Sequence, residues 1–225
     1  MKIFVPGNWC STVTETFAEI DGLPDFSGIE PDEIEEAIHQ LLASNREELI
    51  GIVERASDDP DWDSLVAPLE EIDDRLTKAW VPISHLNAVV NTEALRAAHD
   101  GCLVALTQYS TELGQSKPLY EAYKNLRSSK SYDDELSPAQ KKVVDNALID
   151  FELSGVGLDE QDKKRFADIS ERLAVLASLF QNNVLDASDA WTRRFDGPEP
   201  LDGLPDVNLA IAAEAARVRG LDGYV

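Results

Sequence analysis

Apolar residues return every three or four positions through most of this chain, and nowhere do they alternate in twos over a convincing strand-length run. That period places side chains on one stripe of an α-helix. The longest example is Phe166, Ile169, Leu173, Leu176, Phe180, Val184, Ala187 and Trp191. The spacing predicts one helix from about Asp159 to Phe195, ~55 Å long at 1.5 Å per residue. The fold class that follows is all-α: a multi-helix bundle with this helix as its spine.

Local signals divide the rest. Residues 1–30 lack periodicity, contain Gly7, Gly22, Pro24 and Gly28, and read as an extended arm before a helical domain over 31–225. Pro31 suits a first helical turn, where its missing N–H costs nothing. Ile34, Ile38, Leu41 and Leu42 follow on one face, with a break predicted near Ser44-Asn45. A second helix begins near Asp61, and Pro82 is predicted to kink or split it. Asn91 or Thr92 caps a third, which ends at Gly114. A short helix follows Lys117-Pro118, turning Leu119, Tyr123 and Leu126 inward, and Ser128–Glu135 reads as loop. Ser137-Pro138 starts the next helix, Gly155 stops it, and Asp159 caps the long one. After a loop at 198–205, a last amphipathic helix runs from Asp206 or Val207 to Arg219, and Tyr224-Val225 reads as the start of a strand.

Charge narrows the partners. The chain carries 43 acidic and 20 basic residues, a net charge of -23, of which residues 1–75 contribute -16. Such a surface repels nucleic-acid phosphate and anionic membrane. The acidic N-terminal third is either a solvated face or an attractor of basic peptides. Cys10 and Cys102 stand far apart and form no disulfide framework or thiolate zinc site; Cys102 falls in an apolar helical pattern, as a small core residue does. No segment reaches the ~18 apolar residues that span a bilayer, and MKIFVPGNWC is too short an apolar run for a signal peptide. A cytoplasmic setting is the expectation.

The histidines are His39, His85 and His99, and none is paired four residues from another. A hydrolytic zinc helix needs two histidines at that spacing with a glutamate between them. Glu35 and His39 are four apart, which suits a surface metal or an ordinary surface pair. His85 follows Pro82, where it lines a channel or bonds at a helix join. The aromatics Trp62, Trp80, Tyr109, Phe166, Phe180 and Trp191 fall mostly on apolar faces and read as core.

Two stretches carry a resemblance: AQKKVVDNALIDFELSGVGL (Ala139–Leu158) and FQNNVLDASDAW (Phe180–Trp191). Four weaker ones precede them in order: LPDFSGIEPDEIEEAI, WDSLVAPLEEIDDRL, PISHLNAVVNT and LYEAYKNLR. Together they resemble the N-terminal helical region of the thimet oligopeptidase and oligopeptidase A family of zinc peptidases, nearest its bacterial branch. Residues 1–22 match poorly. The resemblance implies a two-lobed helical peptidase with a deep channel, in which this region is one wall. It also implies that the zinc, its ligands and the glutamate base belong to a C-terminal half, expected to begin shortly after Val225. The chain contains no His-Glu-x-x-His, so no catalytic and no metal-binding residue of the family is assigned to it.

Polar residues inside otherwise apolar helices are then candidates for facing the channel or the catalytic half: His85, Asn87, Asn182, Asn183 and Asp186. Asn182 and Asn183 read equally as a buried polar join between helices. The expected partners are the C-terminal half of the same protein and short peptides. This chain alone is expected to hold no cofactor and to be inactive, with zinc in the full enzyme. The alternative is a stand-alone helical interaction module, catalytically dead.

Overall fold

A computed structural model of the chain describes residues 24–225, so most of the arm expected over residues 1–30 lies outside the described residues. What is described is all-α. Eight α-helices occur among these residues, with no strand beyond one isolated bridge. They are α1 (Pro31–Arg55), α2 (Ala67–Val89), α3 (Glu93–Gly114), α4 (Lys117–Arg127), α5 (Lys130–Asp134), α6 (Pro138–Leu153), α7 (Glu160–Ala190) and α8 (Asp206–Val218). The chain divides into two compact units, the first ending at Leu176 and the second running Ala177–Val225.

Helix starts follow the sequence closely, because side chains satisfy the N–H groups that each first turn leaves free. Thr92 Oγ1 accepts from the Leu95 amide at 3.3 Å, and Ser116 Oγ from the Leu119 amide at 3.4 Å. Ser137 and Gln140 form a reciprocal box, with the Gln140 amide donating to Ser137 Oγ at 3.3 Å and the Ser137 amide to Gln140 Oε1 at 3.0 Å. Asp159 Oδ1 accepts from the Asp162 amide at 2.9 Å at the head of α7. Asp61 and Ser64 cap each other around a single π-type turn, Trp62–Val66, that leads into α2.

The first unit has two hydrophobic cores. One gathers Ile34, Ile38, Leu42, Ile83, Leu95 and Cys102 from α1, α2 and α3. The other gathers Ile52, Leu65, Leu119, Leu126, Val144 and Phe151, where the end of α1 and the π-type turn meet α4 and α6. Leu49 and Leu113 pack against both. Leu119, Tyr123 and Leu126 of α4 are all buried, as their spacing predicts. Gly114 lets α3 approach α6: a Cβ there would lie 2.5 Å from Ser154 Cβ.

Five expectations are corrected. α1 does not break at Ser44-Asn45; it runs unbroken for 25 residues, with Asn45 fully buried. Core contacts on both sides of that point hold the turn helical. α2 is not split at Pro82, which is buried inside it next to fully buried Ile83. Packing there offsets the roughly 3 kcal/mol that an interior proline costs through its missing N–H and its ring clash together. The run 128–135 is not all loop, because Ser129 caps the short α5 and Tyr132 anchors it inward. α7 stops at Ala190 rather than Phe195, which makes it ~46 Å long. The Phe195 N–H is taken by the Tyr224 carbonyl, and the Tyr224 N–H returns to Phe195, each at 2.9 Å. That antiparallel bridge is all that becomes of the strand expected at Tyr224-Val225.

The fifth correction bears most on function. The apolar stripe of α7 is not core. Ile169 is 47% exposed, Leu173 61%, Leu176 40%, Phe180 69% and Trp191 72%. The buried residues of this helix are Ser178 and Asn182. Of the aromatics read as core, Tyr109 is buried and Trp62, Trp80 and Phe166 are half-buried, whereas Phe180 and Trp191 are exposed.

Candidate functional site

The five candidate residues lie on two helices, His85 and Asn87 on α2 and Asn182, Asn183 and Asp186 on α7. His85 is exposed, with its ring centroid 5.6 Å from that of Phe26. Asn87 is buried near the end of α2. Its carbonyl accepts from Asn91 Nδ2 at 2.5 Å, and its own Oδ1 lies 3.4 Å from the same nitrogen. Asn91 adopts the left-handed conformation (φ 48°), tolerated better by asparagine than by bulkier residues. Its Oδ1 accepts from the Arg96 guanidinium, Nε lying at 3.2 Å. Asn87 therefore belongs to the turn joining α2 to α3.

On α7, Asn182 and Asp186 are one turn apart, but Asn182 is buried and Asp186 exposed, as is Asn183. Buried asparagines are held by hydrogen bonds or packing, whereas exposed ones remain available to a ligand.

His39 and Glu35 are both exposed on α1. His99 is buried and stacks on Trp80 with centroids 4.8 Å apart, while its Nδ1 lies 3.3 Å from Asp100 Oδ1. Burial, reinforced by the Glu35 charge, pushes the Cys102 thiol up to about 12, so it stays protonated and unreactive at neutral pH. Among the described residues no group of three or more His, Cys, Asp or Glu is placed to hold a metal ion. The side chains that the described residues bring together do not make up the ligand set of a catalytic zinc.

Two features had no separate sequence signal. A cleft of about 360 Å³ opens between the two cores, floored by Leu49, Leu113 and Phe151; the charged residues lining it, Glu70, Asp73 and Asp150, are all acidic. It holds no histidine or cysteine. Nearby, Asn45 and the Tyr109 hydroxyl are buried side by side, and burial pushes the Tyr109 pKa up. Neither the Asn45 amide atoms nor that hydroxyl has a hydrogen-bond partner among the described residues.

The model of the neurolysin/thimet oligopeptidase N-terminal domain matches residues 38–163. Oligopeptidase A of Haemophilus influenzae is 42% identical over 215 residues, covering 95% of this chain and 31% of that protein. Oligopeptidase A of Salmonella typhimurium is 42% identical over 90% of this chain and 30% of its own length. A probable cytosolic oligopeptidase A of Arabidopsis thaliana is 34% identical over 88% of the chain and 28% of its own length. This chain thus spans about three tenths of the curated relatives it matches. With over half of its residues aligned to that domain, the chain belongs to the neurolysin/thimet oligopeptidase family and corresponds to its N-terminal domain.

Proposed function

We propose that this chain is the N-terminal, non-catalytic helical region of an oligopeptidase A-like zinc endopeptidase that hydrolyses short peptides in the cytoplasm. Its role is to form one wall of the substrate channel and a scaffold for the catalytic half. Residues 31–225 make up that region, and the zinc domain follows them in the whole protein. The carrying observation is the apolar stripe exposed from Ile169 on α7 to Trp191 just past its end, in a chain that spans about 31% of a bacterial relative. An exposed apolar surface of this extent marks an interaction site. In the whole enzyme the catalytic half covers part of it.

His85, Asn183 and Asp186 are exposed and are the candidates to face the channel or that half. Asn87 and Asn182 are buried within this chain and act on those surfaces through the helices they steady. Zinc in the full enzyme supplies Lewis-acid activation of water and the scissile carbonyl; its ligands lie outside this chain.

The test is reconstitution. The chain would be co-expressed with the part of the Haemophilus protein that lies C-terminal to the matched region. Chelator-sensitive cleavage of a short peptide by the pair, absent from either part alone, is the expected result. Chelator-sensitive cleavage by the 225-residue chain alone would overturn the non-catalytic assignment. A stable chain that neither joins the catalytic part nor restores cleavage would favour the stand-alone interaction module.

A further inference from the structure

We propose that the cleft between the two cores is a binding site for an alkyl diammonium ion, a short methylene chain with a protonated amine at each end. The proposal is independent of the peptidase reading, because the cleft lies wholly inside the first unit and is formed by this chain alone.

At about 360 Å³ the cleft has the size of a small-molecule site. Glu70 and Asp73 line it from α2, one turn apart, and Asp150 lines it from α6. Each lacks the neighbour that ordinarily neutralises a helical carboxylate. No Lys or Arg stands three or four positions from any of them. The nearest cations along α2 are engaged elsewhere, Arg75 Nη2 lying 2.6 Å from Glu48 and Lys78 Nζ 2.6 Å from Asp74. None of the three carboxylates forms an ion pair among the described residues. Glu70 and Asp73 repel each other at their spacing, and the apolar floor focuses a field of one sign into the cleft.

One metal ion does not answer that field. The carboxylates share a cleft, yet among the described residues no three such groups are close enough to hold an ion. The positive charge has to arrive at separate points, joined by a body that suits Leu49, Leu113 and Phe151. An alkyl diammonium ion has that form. One ammonium answers the α2 pair, the other answers Asp150, and the methylenes lie on the floor. Ammonium groups are also drawn to aromatic faces, and Tyr109, Tyr123 and Phe151 line the cleft. Tyr109 is 4% exposed, and its hydroxyl has no hydrogen-bond partner among the described residues. Burial, with the Asp73 charge adding to it, keeps that hydroxyl protonated at neutral pH. Its oxygen is an unmet acceptor in the wall, which buried polar groups rarely leave unfilled.

The net charge of -23 gathers any cation loosely, so the test must separate the cleft from the rest of the surface. Calorimetric titration of the purified chain with diaminobutane, at roughly 0.15 M salt to screen diffuse attraction, is expected to give one-to-one binding. The pair Glu70→Gln and Asp150→Asn is expected to weaken it about tenfold or more, as loss of charged hydrogen bonds does. Asp32→Asn with Glu36→Gln removes the same charge from exposed positions of α1 and is expected to leave it unchanged. N-acetyl-lysinamide, with one ammonium, is expected to bind about tenfold more weakly than the diamine. In the unsubstituted chain, amide NMR shifts on titration should gather around Glu70, Leu113 and Asp150. Several equivalents bound per chain would overturn the proposal, as would shifts spread along the acidic residues of α1. So would a Glu70 and Asp150 variant that binds normally, or an α1 variant that loses as much. Equal affinity for N-acetyl-lysinamide would also overturn it, assigning the cleft to a single ammonium such as a peptide lysine.

Discussion

α1 and α7 are written in the same code and folded to opposite ends. Each carries an apolar stripe at helical spacing. In α1 the stripe is inside: Ile34, Ile38 and Ile52 are almost fully buried, and its acidic residues Asp32, Glu35 and Glu36 face water. In α7 the stripe is outside, and Ser178 and Asn182 are within. Periodicity therefore reports that a helix has an apolar face. It does not report which molecule covers that face.

The largest expected effect tests this contrast directly. Ile38→Ala should lower the unfolding free energy by about 2–5 kcal/mol, the cost of a core cavity. Phe180→Ala removes a larger side chain, yet should change stability by less than about 0.5 kcal/mol. Chemical denaturation of both variants checks it. Comparable losses in the two would mean that α7 is packed far more tightly than its exposure indicates.

The two asparagines of α7 sharpen the comparison within one helix. Asn182→Ala should cost about 1–3 kcal/mol, as expected when a buried polar group loses its place. Exposed Asn183→Ala should cost less than about 0.5 kcal/mol. A loss above ~2 kcal/mol for Asn183→Ala would remove it from the interface assignment.

Asn45 breaks the pattern from the other side, as a polar residue in the buried face of α1 without a hydrogen-bond partner among the described residues. Asn45→Leu should be neutral or stabilising by roughly 1 kcal/mol, because an unpaired buried amide carries a desolvation cost. A thermal midpoint that falls by several degrees would show that the amide is satisfied in solution.

A pH-dependent effect lies at the cap of the π-type turn that leads into α2. Hydrogen bonds from the Ser64 side chain and backbone hold the Asp61 carboxyl below its usual range. Its contribution is therefore present above the unfolded pKa of about 3.9 and is lost as pH falls through the lower folded value. Asp61→Ala should cost about 1 kcal/mol near neutrality, and the difference from wild type should vanish in strong acid.

Helix beginnings were legible because they are local. Pro31, Thr92, Pro118, Ser137 and Asp159 each act within their own first turn. Three features were illegible because they depend on distant neighbours. Pro82 sits in an unbroken helix, Asn45 is sealed where two cores meet, and the end of α7 is set by Phe195 pairing with Tyr224, 29 positions onward. The candidate site was partly legible for the same reason. Sequence singled out polar residues inside apolar helices, but only the fold separates exposed His85, Asn183 and Asp186 from buried Asn87 and Asn182. Family membership was readable from short ordered segments, which survive where burial patterns are ambiguous.

The unbroken path of α1 has a thermodynamic consequence. One rod of 25 residues supplies Ile34, Ile38 and Leu42 to one core and Ile52 to the other, with Leu49 touching both. Neither core can melt alone without fraying the helix on which the second is built. Unfolding units tend to follow such contiguous elements. The first unit should accordingly lose both cores in one transition, with amides at Leu42 and Ile52 exchanging at the same free energy of opening.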